Sequence, residues 1–266
     1  MRVTGAAGSA RSPSRASRRS RRKLIFFAGE PVLVGEFVQL CAAVEYRVAS
    51  RLNPGEPIPA PARALNVTAR IPPGVFLALE LTNTDFGLKR KNIEALDSAL
   101  PQSVPILTSS LTVSATEQAS WVRNPRRLTG IGAYPSVLAN DLIELAPTVR
   151  TDKEVVGQAR DFFFTLGKEI AVVQDRVGMV IPRILCMLIN EASFALMEEV
   201  ASPADIDTAM RLGTHYPYGP IEWADRIGIR QVVSVLRALH ADLGEERYRI
   251  SPLLQLMARG EPWWRT

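Results

Sequence analysis

From Asp175 to Gly228 the chain spells out a series of helix starts and stops that commits this region to a packed set of short helices. After Gly178 an apolar-rich segment runs from Met179 to Val200, with Val180, Ile184, Leu188 and Ala192 recurring along one helix face. Pro182 falls in its first turn, where a missing N–H costs nothing. Ser202-Pro203-Ala204-Asp205 reads as an N-cap, a proline at the first helical position and an acid three residues after the cap. Gly213 is expected to close that helix in the left-handed conformation. Tyr216-Pro217-Tyr218-Gly219-Pro220 forms a rigid turn that starts another helix, and Gly228 stops it.

The pieces INEASFALMEE, ASPADIDTAMRLG, YPYGPIEWADRIG and LGEERYRISPLLQLMARG, in that order, carry a resemblance. Together they resemble the C-terminal domain of the 3-hydroxyacyl-CoA dehydrogenase family. That resemblance implies an α/β fold: a Rossmann-like N-terminal domain with a mainly parallel sheet, followed by an all-α C-terminal domain. It implies NAD as cofactor, oxidation of a 3-hydroxyacyl-CoA or related hydroxyacid in fatty-acid metabolism, and a cytoplasmic homodimer. The dimer would pack the apolar segment 179–200 and the helix Val232–Leu239 against a second copy. The expected division is a basic tail at 1–22, a degenerate dinucleotide-binding domain at 23–174 and the helical domain at 175–266.

The upstream half opens on Leu24-Ile25-Phe26-Phe27-Ala28, a buried strand, followed by Gly29-Glu30-Pro31 and an apolar helix through Ala43. A Rossmann unit uses this turn to place pyrophosphate on a helix amino terminus. Aligned on the family, the three glycines of G-x-G-x-x-G fall on Phe27, Gly29 and Val32, so only Gly29 remains for cofactor binding. Phe27 is expected to alter the loop, and Val32 to push helix from strand. Pro31 removes one N–H donor. The second strand, Tyr46 to Ser50, ends at Ser50 and Arg51 where the family has a ribose-binding acid; an arginine there also fits NADP. Residues 53–73 are too rich in proline for the helical excursion that helps cover CoA in many relatives. Beyond the strand Val75–Leu81, Lys89 falls on a family lysine that contacts the dinucleotide; without that role it is a solvated charge at a helix start.

The family chemistry needs a base for the 3-hydroxyl proton while hydride leaves C3. Its segment R-x-x-G-x-H-F-x-N-P appears as Arg127 to Ser136. Counted from Gly130, the histidine position is Gly132 and the asparagine position Pro135. Glu144 matches the histidine's carboxylate partner, so the orienting group remains while the base is missing. Ungapped alignment through Ala115-Thr116-Glu117 puts Leu111 and Thr112 at the two serines that position the substrate oxygen; a two-residue shift would use Ser109 and Ser110 instead. A second family asparagine is Pro182. His215 and His240 both belong to the helical region and read as surface or packing residues. The family's chemistry and a non-catalytic dimeric homologue, binding an acyl group, a metabolite or a protein partner, therefore stand side by side.

Composition narrows the partners. The net charge of +5 arises in the first 23 residues, which hold eight of the 32 basic side chains and no acid. The remainder, with 24 basic against 27 acidic residues, is near −3 and gives no reason to expect nucleic-acid binding. The Ser/Arg-rich start is expected to be disordered. It fits an organellar transit peptide, a nucleic-acid tail or an extension from an early start codon. No apolar run approaches a membrane span. Cys41 and Cys186 read as buried free thiols in a reducing compartment. No Cys/His/carboxylate cluster has metal-ligand spacing.

Overall fold

The computed structural model describes residues 23–55 and 65–260. The basic tail, part of the proline-rich connection and Trp263 and Trp264, expected to cap a dimer interface, lie outside those residues.

Seven strands form one sheet in the order β2-β1-β3-β4-β5-β6-β7. They are β1 (Leu24–Gly29), β2 (Arg47–Leu52), β3 (Val75–Leu81), β4 (Ile106–Ser109), β5 (Leu128–Ile131), β6 (Leu142–Pro147) and β7 (Glu169–Val172). All neighbours run parallel except β5 and β6. The mainly parallel sheet is therefore as expected, with the two last strands reversed as a pair. All six residues of β1 are buried, as a strand covered on both faces requires. Ile25 and Phe27 point to a core shared with helix α1 (Pro31–Ala43) and helix α4 (Lys153–Thr165). Phe26 and Ala28 point to the opposite core, under helix α2 (Phe86–Ala99). A one-residue slip would exchange these two sets.

After the sheet come α5 (Ile181–Met197), α6 (Pro203–Thr214), α7 (Pro220–Ile227), α8 (Ile229–Leu243) and α9 (Pro252–Met257); the short α3 (Ala115–Ala119) lies between β4 and β5. Most of the helix punctuation holds. Pro182 lies in the first turn of α5, Ser202 caps α6 by accepting from the N–H of Asp205, and Gly228 ends α7 at φ 91°. One stop moves: α6 runs through Gly213 to Thr214, and His215 takes the left-handed cap at φ 58°. Gly213 is ordinary helix, and nothing lies within 4 Å of where its Cβ would be.

The core of the helical half is built from Leu185, Ile189, Ile227, Val232, Leu236 and Leu239. It reaches the sheet at Ala146 of β6, with Leu111, just after β4, and Met179, just before α5, packed into it. Each such apolar side chain contributes about 1.5–3 kcal/mol when fully removed from water. This shared core packs α7 and α8 beside Leu111, just beyond the end of β4, and a sheet of this kind holds its ligands at the carboxyl ends of its strands.

Candidate functional site

The turn between β1 and α1 is a single residue, Glu30, with Gly29 before it and Pro31 at the first helical position. Gly29 adopts φ 145°, and a Cβ there would lie 2.5 Å from the carbonyl oxygen of Leu81. Only glycine permits this approach between β1 and β3. Phe27, expected to disturb the loop, is instead a strand residue stacked on Phe37 with ring centroids 6.1 Å apart. Val32 does not separate helix from strand either; it faces outward, 41% exposed.

Glu30 turns its side chain away from its own helix and into the molecule, where it is 1% exposed. Oε1 accepts from the N–H groups of Asn83 and Thr84, both at 2.7 Å, and from the Thr84 hydroxyl at 2.8 Å. Oε2 accepts from the Gln231 amide on α8, a side chain 201 positions away in sequence. A pyrophosphate at this helix terminus needs free N–H donors and the positive end of the helix dipole. Here the residue before the helix carries a carboxylate, Pro31 supplies no donor, and the N–H groups of Asn83 and Thr84 beside it are already engaged. These residues do not fit a dinucleotide pyrophosphate.

The neighbouring crevice is filled from within. Lys89, read from sequence as a cofactor contact or a solvated charge, is not solvated at all. It is 1% exposed and donates to Glu80 Oε2 at 2.5 Å. Burial raises the Glu80 carboxyl above its ordinary value, against the opposing pull of Lys89. Asn92 donates to Asn53 at 2.9 Å and to Thr82 at 3.2 Å, and Thr108 donates to Glu80 at 3.2 Å. Arg51, at the ribose-recognising end of β2, donates to Asn92 at 3.3 Å.

Gly132 and Glu144 lie side by side. The Gly132 N–H donates to the Glu144 carbonyl at 2.8 Å, continuing the β5–β6 pairing. A Cβ on Gly132 would stand 3.2 Å from the Glu144 Cβ and 3.4 Å from its Oε2. The same Cβ would stand 3.2 Å from the sulfur of Met179. Glu144, 4% exposed, accepts from the N–H groups of Val180 (3.2 Å) and Ile181 (2.9 Å), closing the start of α5. Its carboxyl is raised by burial, with the Ile181 and Val180 bonds working in the opposite direction. Burial first, then Glu144 and Cys186, push the Tyr134 hydroxyl up to about 12. His215 and His240 are both exposed.

The two alternatives for the serine positions separate in space. Leu111 is fully buried in the interdomain core, and its carbonyl accepts from Gly178 at 2.9 Å; Thr112 beside it is half-buried. Ser109 donates to Asn83 at 2.6 Å, and Ser110 accepts from Gln118 at 3.2 Å. Both serines are held within the protein's own network. The loop that follows Gly132 is pinned by Glu36 on α1, which accepts from Ser136 at 3.0 Å and Val137 at 2.6 Å.

An open space remains between α1 and the helical half. A cavity of about 450 Å³ is lined by Glu30, Val32, Thr84, Ile227, Gln231 and Met257, among others. A smaller one, about 250 Å³, shares Thr84 and Arg230 with it and adds Arg237 and Arg259. Sequence reasoning named neither Glu30 nor Gln231 as a site residue. The signal for Glu30 was a lone acid between an apolar strand and an apolar helix; Gln231 left none.

Residues 67–176 match the family model for the 3-hydroxyacyl-CoA dehydrogenase NAD-binding domain, and residues 178–261 that for the 3-hydroxyacyl-CoA dehydrogenase C-terminal domain. The first match begins beyond β1, α1 and β2, the unit that contains Glu30. The chain is 35% identical over 167 residues to a 3-hydroxybutyryl-CoA dehydrogenase of Bradyrhizobium diazoefficiens, covering 63% of this chain and 57% of that one. It is 30% identical over 183 residues to a 3-hydroxybutyryl-CoA dehydrogenase of Clostridioides difficile, covering 69% and 65%. The chain thus spans somewhat less than two thirds of these relatives' length. Among solved structures, an (S)-3-hydroxybutyryl-CoA dehydrogenase from Ralstonia eutropha superposes with a TM-score of 0.72 at 24% identity, over 89% of this chain and 93% of that one. At that identity the superposition speaks for the fold.

Proposed function

The chain belongs to the 3-hydroxyacyl-CoA dehydrogenase family, whose NAD-binding and C-terminal domain models it matches one after the other, and we propose that it keeps the scaffold of that family without its hydride transfer. NAD is the cofactor of the family's N-terminal domain. The observation that carries the reading is the position beside Glu144: it holds Gly132, with no side chain to accept a proton, and the sulfur of Met179 stands against it. General-base catalysis needs a titratable group within hydrogen-bond reach of the substrate hydroxyl. In support, both histidines of the chain are exposed and neither donates to Glu144, and Tyr134 at about 12 is too weakly acidic to exchange a proton near neutrality. The engagement of Glu30 at the start of α1 supports the same reading.

What remains is a ligand-binding protein of the dehydrogenase fold, divided near residue 174 into a sheet domain and a helical one. A homodimer through the helical half fits the exposed apolar side chains of Val180, Ile184 and Met197, at 47%, 55% and 41%, and would show as twice the chain mass in analytical ultracentrifugation. No helix among the described residues is long and apolar enough to cross a membrane.

The retained Glu144 favours a second reading, NAD-dependent oxidation of an acyl-CoA or a small hydroxyacid. Titration with NADH, followed by fluorescence, and assay of NADH formation from 3-hydroxybutyryl-CoA separate the two. Absence of both binding and turnover supports the first reading; clear NAD-dependent turnover by purified protein replaces it with the second.

A further inference from the structure

Glu30 follows β1, and Asn83 and Thr84 follow β3, the two neighbouring strands at which the order of the sheet reverses. A sheet wound in this way holds its ligand in the crevice at that reversal, outside the carboxyl ends of the strands. Four donors converge there on the Glu30 carboxylate: the N–H groups of Asn83 and Thr84, the Thr84 hydroxyl and the Gln231 amide. None of the four is charged, and no ion pair between described residues includes Glu30. A buried acid that serves packing alone is ordinarily paired with a cation. Neutral N–H and O–H donors gathered around one acceptor are instead how a protein holds a phosphate or another small anion.

The helices point the same way. Glu30 directly precedes α1, and Gln231 lies in the first turn of α8. The amino ends of two helices of 13 and 15 residues thus meet at this carboxylate, and each favours a negative charge beside it. Glu30 and Thr84 also line the 450 Å³ cavity, so shortening the side chain at position 30 would open the donors to that space.

Resting on the reading that the chain does not use the family's dinucleotide, we propose that Glu30 is an internal anion that keeps phosphates out of this crevice. Its carboxylate takes the donors and the helix ends that a phosphoryl group would need. The donors remain in place behind it, so removing this one side chain reopens an anion site.

Glu30→Ala takes away the carboxylate and leaves Thr84 and Gln231 as they are. Thermal melts of the full chain and of this variant are compared in inorganic phosphate and in chloride at matched ionic strength. Phosphate at about five times its dissociation constant is expected to raise the variant by about 2–4 °C more than it raises wild type. Glu30→Gln, which refills the space without charge, is expected to show no such excess. If Glu30→Ala does not fold in chloride, refolding in phosphate replaces the melt: recovery of folded protein supports the proposal, and no recovery overturns it. An equal response of variant and wild type overturns it too. So does rescue by formate without rescue by phosphate, because Glu30 would then be a structural carboxylate only. Wild-type protein that binds NADH and turns over removes the reading on which this rests; a variant unresponsive to phosphate leaves that reading standing and sinks only the internal anion.

Discussion

The sulfur of Met179 stands 3.2 Å from where the Cβ of a side chain on Gly132 would be, a tight contact. Met179 holds φ 49°, a left-handed conformation uncommon for a non-glycine residue, at the bend leading into α5. Gly132 itself lies outside the left-handed region, so a larger residue there meets an obstacle of space and not of backbone. Gly132→His is expected to cost about 1–3 kcal/mol through overpacking. Combined with Met179→Ala it should lose less than the two single changes added together, because the imidazole fills the vacated volume. Urea denaturation of the four proteins of this cycle measures the coupling; strict additivity would show that Met179 and position 132 do not compete for the same space.

Glu30 is the acceptor for donors from two parts of the chain, the β3–α2 connection and α8. Glu30→Ala leaves the N–H groups of Asn83 and Thr84 and the amide of Gln231 without that acceptor in a buried setting. At about 1–3 kcal/mol for each orphaned group, the expected loss is of order 3 kcal/mol or more. Glu30→Gln keeps one carbonyl oxygen for Asn83 and Thr84 but turns an NH2 toward Gln231, so it falls between the two. Chemical denaturation gives the order; equal stability for all three proteins would mean that Glu30 contributes nothing to joining the halves.

Much of this arrangement was legible before any coordinates. The caps Ser202 and Gly228 are local chemistry, decided within three or four residues, and both stand where the chain indicates. The run Leu24–Ala28 is apolar without alternation, which suits a central strand covered on both faces. The left-handed cap at His215 was not legible, because the place where α6 ends depends on how the chain must turn to seat Asp207 under α7. Asp207 accepts from the N–H groups of Ile221 at 2.8 Å and Glu222 at 3.0 Å, fourteen and fifteen residues away. Contacts such as Glu30 with Gln231 have no periodicity or spacing to announce them.

Lys89 and Glu80 mark the same limit from the other side. An acid inside the apolar strand VFLALEL and a lysine nine residues later are individually unremarkable, yet they meet as a buried ion pair. Removing one member leaves the other charge without compensation. Lys89→Met is expected to cost about 3–5 kcal/mol, and Glu80→Gln/Lys89→Met much less, since the pair as a whole is close to neutral for stability. Burial already raises the Glu80 carboxyl, and losing Lys89 raises it further, so the single variant should be most stable in acid. Thermal melts of both variants between acidic and neutral pH check this; a Lys89→Met protein as stable as wild type would show that Glu80 does not depend on its partner.

Glu144 gives the last expectation, because it caps α5 while its carboxyl is raised above the ordinary value of 4.5. A carboxyl with a raised folded-state value binds its proton more tightly folded than unfolded. Its contribution is therefore fully present below about 4.5 and is lost as the pH rises through the folded-state value. Glu144→Gln carries an acceptor for Val180 and Ile181 but no titration, so it should gain on wild type as the pH climbs from about 4.5 toward neutrality. Glu144→Ala lacks the acceptor at every pH and should lose about 1 kcal/mol of helix capping on the acid side. Melting temperatures of the three proteins across that window decide the matter. A constant difference between wild type and Glu144→Gln would mean that the carboxyl binds its proton equally in the folded and unfolded chains, so that burial does not raise it. A difference that grows in wild type's favour would mean that Glu144 is stabilised as the anion, as a carboxylate holding a cationic base would be, and would return weight to the catalytic reading.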